Sequence, residues 1–168
     1  MPMQVYIPVT LSMLRTLVAD GELWPVNGTA FAVTPALREA YSAGDEDELS
    51  EVAMREAALA SLRLLADEDG DDGLPARRAV LVADAEDAKL RPDLDDAVVR
   101  LAAAVPISAV VAAHVDLAQA EPDVVRAAEV IDAADLGDED AELVVGDAQD
   151  HDLAWYATQE LPFLLDLL

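Results

Sequence analysis

Both histidines of the chain stand beside carboxylates, in His114-Val115-Asp116 and in Asp150-His151-Asp152. In a strand, residues two apart face the same side, so His114 and Asp116 would aim an imidazole nitrogen and a carboxylate at one point. His151 and Asp152 would supply the rest of a four-ligand metal site, or of acid–base pairs, if folding brings the two stretches together. The plainer alternative is a strand-end imidazole at His114 with a local carboxylate partner, and an exposed loop residue at His151. Just beyond, Trp155-Tyr156 and Gln159-Glu160 form the densest cluster of large polar-tipped residues in a chain that is only 4% aromatic. On a strand Trp155 and Tyr156 face opposite sides, so one anchors the core and the other is open to a ligand or partner. Tyr6, Arg38, Glu39 and Tyr41 also carry polar tips, which either bind something or satisfy one another.

Other chemistries find no support. Asp67, Asp69 and Asp71 alternate like the first ligands of a calcium loop, but the sixth place holds Asp72 instead of Gly and the twelfth Arg78 instead of Glu. The stretch reads as a solvated acidic linker. No serine lies in a G-x-S-x-G turn, and no phosphate loop occurs, the only lysine being Lys89. With zero cysteines, disulfides, thiolate zinc sites and cysteine nucleophiles are all excluded. No cofactor is implied.

The elements that must position these residues follow from pattern. Residues 4–9 (QVYIPV) predict a strand, and Thr10 caps a helix whose Leu11, Leu14, Leu17 and Val18 recur at helical spacing up to Gly21. Residues 24–28 supply turn chemistry, residues 30–33 a short strand, and Thr34-Pro35 opens a helix through Tyr41. Asp45 with Glu48 caps a long helix to about Ala66. Residues 67–76 predict a flexible acidic loop, residues 78–83 a strand, residues 84–93 a charged loop, and residues 97–105 a strand or, nearly as well, a helix. A buried strand over 110–115, an amphipathic helix over 122–134, an acidic loop, a strand over 152–157 and an apolar segment over 160–168 complete the chain. The order predicts a single α+β domain over residues 1–168, with helices on one face of a mixed or mostly antiparallel sheet. A doubly wound dinucleotide fold would want a Gly-rich turn after the first strand, and Pro8-Val9-Thr10 is not one.

The 168 residues suffice for one domain, and 54% hydrophobic content argues against a disordered chain. Charge is the dominant feature: 35 acids face 10 bases, for a formal charge of −25. The acidity is graded, with 15 acids and 2 bases in residues 97–168, and between Asp116 and Asp152 only Arg126 opposes 13 acids. Such a field repels phosphate backbones and anionic membranes within a Debye length of about 8–10 Å, so direct nucleic-acid binding is not expected. Every long apolar stretch is broken by charge or Pro before about 18 residues, so no membrane span is expected. The first ten residues show no secretory pattern, and the expected location is cytoplasmic. Nine Arg to one Lys, three Ile, one Asn and abundant Ala point to a GC-rich genome such as an actinomycete's; a halophile would share the acidity.

The runs Val5-Tyr6-Ile7-Pro8, Asn27-Gly28-Thr29-Ala30-Phe31-Ala32-Val33-Thr34-Pro35, Leu37-Arg38-Glu39-Ala40-Tyr41 and Trp155-Tyr156-Ala157-Thr158-Gln159-Glu160 resemble a family of small uncharacterised actinobacterial proteins, a domain of unknown function. The resemblance spans nearly the whole chain. It implies source and compartment and carries over no catalytic residues.

Two functional expectations stand. One is a non-enzymatic interaction or regulatory protein whose acidic C-terminal half engages a basic protein, with a second copy of the chain meeting it through the apolar C-terminus. The other is a small-molecule or metal-dependent enzyme built on the two histidines and Trp155-Tyr156. Cation buffering by the acidic surface is a third.

Overall fold

Uninterrupted apolar runs make the centre of the sheet. Residues 5–9 and 79–83 carry no charge, and in the computed structural model, which describes residues 2–68 and 73–168, they form most of β1 (Met3–Val9) and β4 (Ala79–Ala85). The two strands pair antiparallel from Met3 opposite Ala85 to Val9 opposite Ala79. Beyond β4 come β8 (Val110–Asp116) and then β9 (Leu153–Ala157). Beyond β1 come β3 (Thr29–Phe31), β6 (Val98–Arg100) and β5 (Lys89–Leu90), which gives the order β5-β6-β3-β1-β4-β8-β9. Every neighbouring pair in it is antiparallel. A small separate ribbon pairs β2 (Glu22–Leu23) with β7 (Val105–Pro106).

The α+β class and the antiparallel sheet are as the sequence predicts, but helices cover both faces of the sheet, not one. On one face, α1 (Leu11–Asp20) and α6 (Leu161–Asp166) lay Leu11, Leu14, Leu17, Leu161 and Leu164 against Val5, Ile7, Leu81 and Val115. On the other, α2 (Pro35–Ala40) and α3 (Glu46–Asp67) lay Leu37, Leu49, Ala53 and Ala57 against Tyr6, Val80 and Val82. The reason is in the strands themselves: a strand with one wet face alternates, whereas β1 is buried at every position from Val5 to Val9. Each fully buried leucine contributes about 2 kcal/mol. Further along α3, Leu62 enters a third cluster with Val124, Ala127 and Ile131 of α4 (Glu121–Asp135) and with Val145 and Ala148 of α5 (Glu139–Gln149).

Two devices fix this arrangement. The buried Ser61 hydroxyl of α3 donates to the Val9 carbonyl at 2.7 Å and accepts from the Ala79 N–H at 3.0 Å, locking the helix to two strand ends that are partners in register. At the turn before β3, Asn27 (φ 57) and Gly28 (φ 69) are both left-handed. A Cβ on Gly28 would come within 2.5 Å of the Leu101 carbonyl oxygen, so only glycine lets these backbones approach.

Several local expectations change. The acidic stretch after α4 is a helix, not a loop: Gly137 turns the chain at φ 96, Asp138 accepts from the Ala141 N–H at 2.9 Å, and Glu139, Asp140 and Glu142 in the first turn complement the helix dipole. Within residues 84–93, Lys89–Leu90 is a strand, and of residues 97–105 only Val98–Arg100 and the Val105 end pair. The predicted loop over 67–76 is described only in part, because residues 69–72, and with them the calcium-loop positions Asp69, Asp71 and Asp72, lie outside the described residues; Asp67 closes α3. The C-terminal apolar segment packs through Leu161 and Leu164 and leaves Phe163 and Leu167 exposed. Among the described residues no helix is long and apolar enough to cross a membrane.

Candidate functional site

A cavity of about 620 Å³ opens between α3 and the sheet where β1, β4, β8 and β9 run side by side. Alternate strand residues reach it: Tyr6, Val82, Ala112, His114, Leu153 and Trp155. Register sets them in rows, with Tyr6 opposite Val82, Val82 opposite Ala112, and His114 opposite Trp155. From α3, Ser50, Glu51, Met54, Arg55 and Ala58 add a single helical stripe to a lining that also includes Gln4, Arg78, Val111, Gln149, His151 and Asp152. The small side chains Ala58, Val82 and Ala112 leave the volume that the larger groups border. A second depression, of about 610 Å³, is lined by Asp84, Glu86, Asp87 and the alanine-rich 103–109 stretch, with no imidazole or aromatic group.

One end of the cavity is a buried ion pair. Arg78, 1% exposed, meets Asp116, fully buried, through two parallel bonds: Nε to Oδ2 at 2.9 Å and Nη2 to Oδ1 at 2.8 Å. The Arg78 backbone N–H adds a third bond to Asp116 Oδ2 at 2.8 Å. Arg78 also donates to Gln149 Oε1 and to the His151 carbonyl, both at 2.9 Å, so strands β4 and β8 hold the C-terminal end of α5. The pair is well compensated because the carboxylate accepts three bonds and the guanidinium uses four of its five donors.

The two imidazoles sit differently. His114 is half-buried and hydrogen-bonds to no described residue, and burial pushes its pKa down, so at neutral pH it offers one N–H and one acceptor nitrogen. His151 is engaged, with Nε2 2.7 Å from Asp123 Oδ2 at the start of α4. That hydrogen bond, joined by Arg126, holds the Asp123 carboxyl below its ordinary range.

Of the residues singled out from sequence, Tyr6, His114, His151, Asp152 and Trp155 line this one cavity. Asp116 does face the same side as His114, yet both of its oxygens are taken by Arg78, and among the described residues no group of three or more His, Asp or Glu is placed to hold a metal ion. The four proposed ligands therefore do not assemble as a set. Tyr156 turns to the opposite face, against the α1–α6 layer. Arg38 pairs with Glu46, Tyr41 is exposed beyond α2, Gln159 is exposed, and Glu160 Oε1 accepts the Ala157 N–H at 2.8 Å; none of these reaches the cavity. Sequence reasoning missed Arg78, Glu51 and Arg55. For Arg78 a signal existed: an arginine opens one apolar strand and an aspartate closes another, and charges at such positions need each other.

Compared with known protein families, residues 3–165 match the model described as a family of unknown function (DUF6912). No curated protein and no solved structure matches the chain.

Proposed function

Since the chain belongs to the DUF6912 family of unknown function, its own cavity has to carry the assignment, and we propose that it is a binding protein for a small organic molecule. The observation behind this reading is convergence: Tyr6, His114, His151 with Asp152, and Trp155 come from separate stretches to one cavity of about 620 Å³. Ligand pockets typically enclose about 300–1,000 Å³ and combine apolar walls with a few placed polar groups. Here Met54, Val82 and Leu153 give apolar wall, Trp155 gives an exposed ring face, and His114 gives a donor and an acceptor. The Arg78–Asp116 pair makes one end rigid. His114 is also the group that would take a proton from a bound molecule, so the small-molecule enzyme expected from sequence is this same proposal with turnover added.

The test is a fragment screen on the intact, isotope-labelled protein, read at the Trp155 indole N–H and the His114 ring, with Trp24 as the distant indole. Fragments that move Trp155 and His114 but not Trp24, and lose that effect in His114→Ala, support the reading. A library that leaves both resonances unmoved at about 1 mM rejects it.

A second reading has its own observation. Of the 13 acids from Asp116 to Asp152, Asp116, Glu121, Asp123 and Asp135 are held in ion pairs, and most of the rest line α4 and α5 around Leu136 and Leu143, which are 90% and 70% exposed. A basic protein partner suits that face, through charge at the rim and leucine at the centre. Such a complex should associate more slowly as salt rises and should be weakened by Leu143→Ser. A second copy meeting at Phe163 and Leu167 is the dimer version, tested by light scattering on Phe163→Ser. Both readings take the protein to be cytoplasmic, which suits a chain without cysteine.

A further inference from the structure

Resting on the small-molecule reading above, we propose that the cavity selects an organic cation, a flat amidinium, guanidinium or aromatic ammonium group held against Trp155 between Glu51 and Asp152. Arg78 is spent, its charge cancelled by Asp116 through two bonds. Glu51 and Asp152 line the cavity and make no hydrogen bond or ion pair with another described side chain. Among the described residues Arg55 is the lining cation outside the Arg78–Asp116 pair, exposed on α3 four residues after Glu51 and beside Glu56, whose carboxyl feels its charge. The lining therefore retains more negative than positive charge, inside a protein of formal charge −25. An anion entering works against both fields and a cation is drawn by both.

The uncharged groups favour the same ligand. Trp155 lines the cavity with 60% of its surface exposed, and an indole face attracts a cation through its quadrupole. Acceptors without a described partner in the lining are the carboxylates of Glu51 and Asp152 and a nitrogen of the neutral His114, alongside donors on Gln4, Ser50, Arg55 and Gln149. A cation of the amidinium type carries only donors, so it satisfies acceptors and leaves none of its own to be paired.

Three flat molecules of nearly one shape separate the possibilities: benzamidinium, benzamide and benzoate, each titrated into the whole protein and read at the Trp155 indole. We expect benzamidinium to bind one-to-one at this site at least about tenfold more tightly than benzamide, and benzoate not to bind. Trp155→Leu should lose about tenfold in affinity while Trp155→Phe keeps most of it, and the double change Glu51→Gln with Asp152→Asn should erase the preference for the cation. Benzamide or benzoate matching benzamidinium overturns the inference while leaving the cavity a ligand site. So does benzamidinium that never saturates and moves only resonances of α4 and α5. If no fragment of any charge reaches Trp155, the parent reading falls as well.

Discussion

His114 on β8 and Trp155 on β9 are direct cross-strand partners, and both side chains line the same cavity. The pairing puts a half-buried imidazole, whose ring hydrogen-bonds to no described residue, beside a largely exposed indole, so the protonation state of one sets the charge felt by the other.

The first prediction is the sign of a pH effect. Burial lowers the His114 pKa in the folded protein, whereas an unfolded histidine titrates near about 6.5. Above that value neither state is protonated at this position; below it the unfolded chain takes up the proton first, so stability falls with pH until the folded pKa is passed. Falling pH also relieves the repulsion among carboxylates, so the informative quantity is the stability difference between wild type and His114→Gln. That difference should decline from pH 7.5 to pH 5 in urea titrations; a flat difference contradicts the burial of a neutral ring.

Removing half of the Arg78–Asp116 pair strands a buried charge. Arg78→Ala and Asp116→Ala should each cost about 3–5 kcal/mol. The combined Arg78→Met, Asp116→Leu protein should cost clearly less than either single change, a comparison that denaturant midpoints make directly. Equal losses in all three would mean that the attraction itself, and not the orphaned partner, sets the cost.

Ser61→Ala removes one hydroxyl and leaves the buried Ala79 N–H without an acceptor. The expected loss is about 1–3 kcal/mol, with faster hydrogen exchange at Ala79 as the specific signature. Ser61→Cys, weaker as donor and acceptor, should fall between.

Gly28→Ala places a methyl group against the Leu101 carbonyl at a left-handed residue. A loss of more than about 1 kcal/mol is expected. Gly21→Ala is the control, since its φ of 79 is also positive but nothing lies within 4 Å of a Cβ there. The excess loss at Gly28 over Gly21 measures the clash alone.

What the sequence disclosed follows from how local each signal is. The caps at Thr10, Thr34 and Asp45 are read from neighbours three residues away, and all three accept the N–H bonds expected of them. Strand parity correctly set His114 and Asp116 on one side, yet parity cannot say that Arg78, 38 residues away, would occupy the carboxylate. The α5 helix was written in Gly137, Asp138 and an acidic first turn, and was hidden because a run of acids is also what a solvated loop looks like. The second covered face was equally present, in strands with no polar alternation. The cavity was half visible: its histidines and tryptophan stand out by scarcity, whereas Glu51 and Arg55 are ordinary members of a charged helix until α3 is laid across the sheet.

The salt bridge beneath the cavity also limits how lineages of this protein can drift. A replacement at either end alone passes through a poorly folded ancestor, so the two positions should be inherited as a unit, kept together or exchanged together. The pocket's mouth, where Glu51, Arg55 and Asp152 are exposed, is under no such constraint, and sequence is free to vary there while that end of it stays the same.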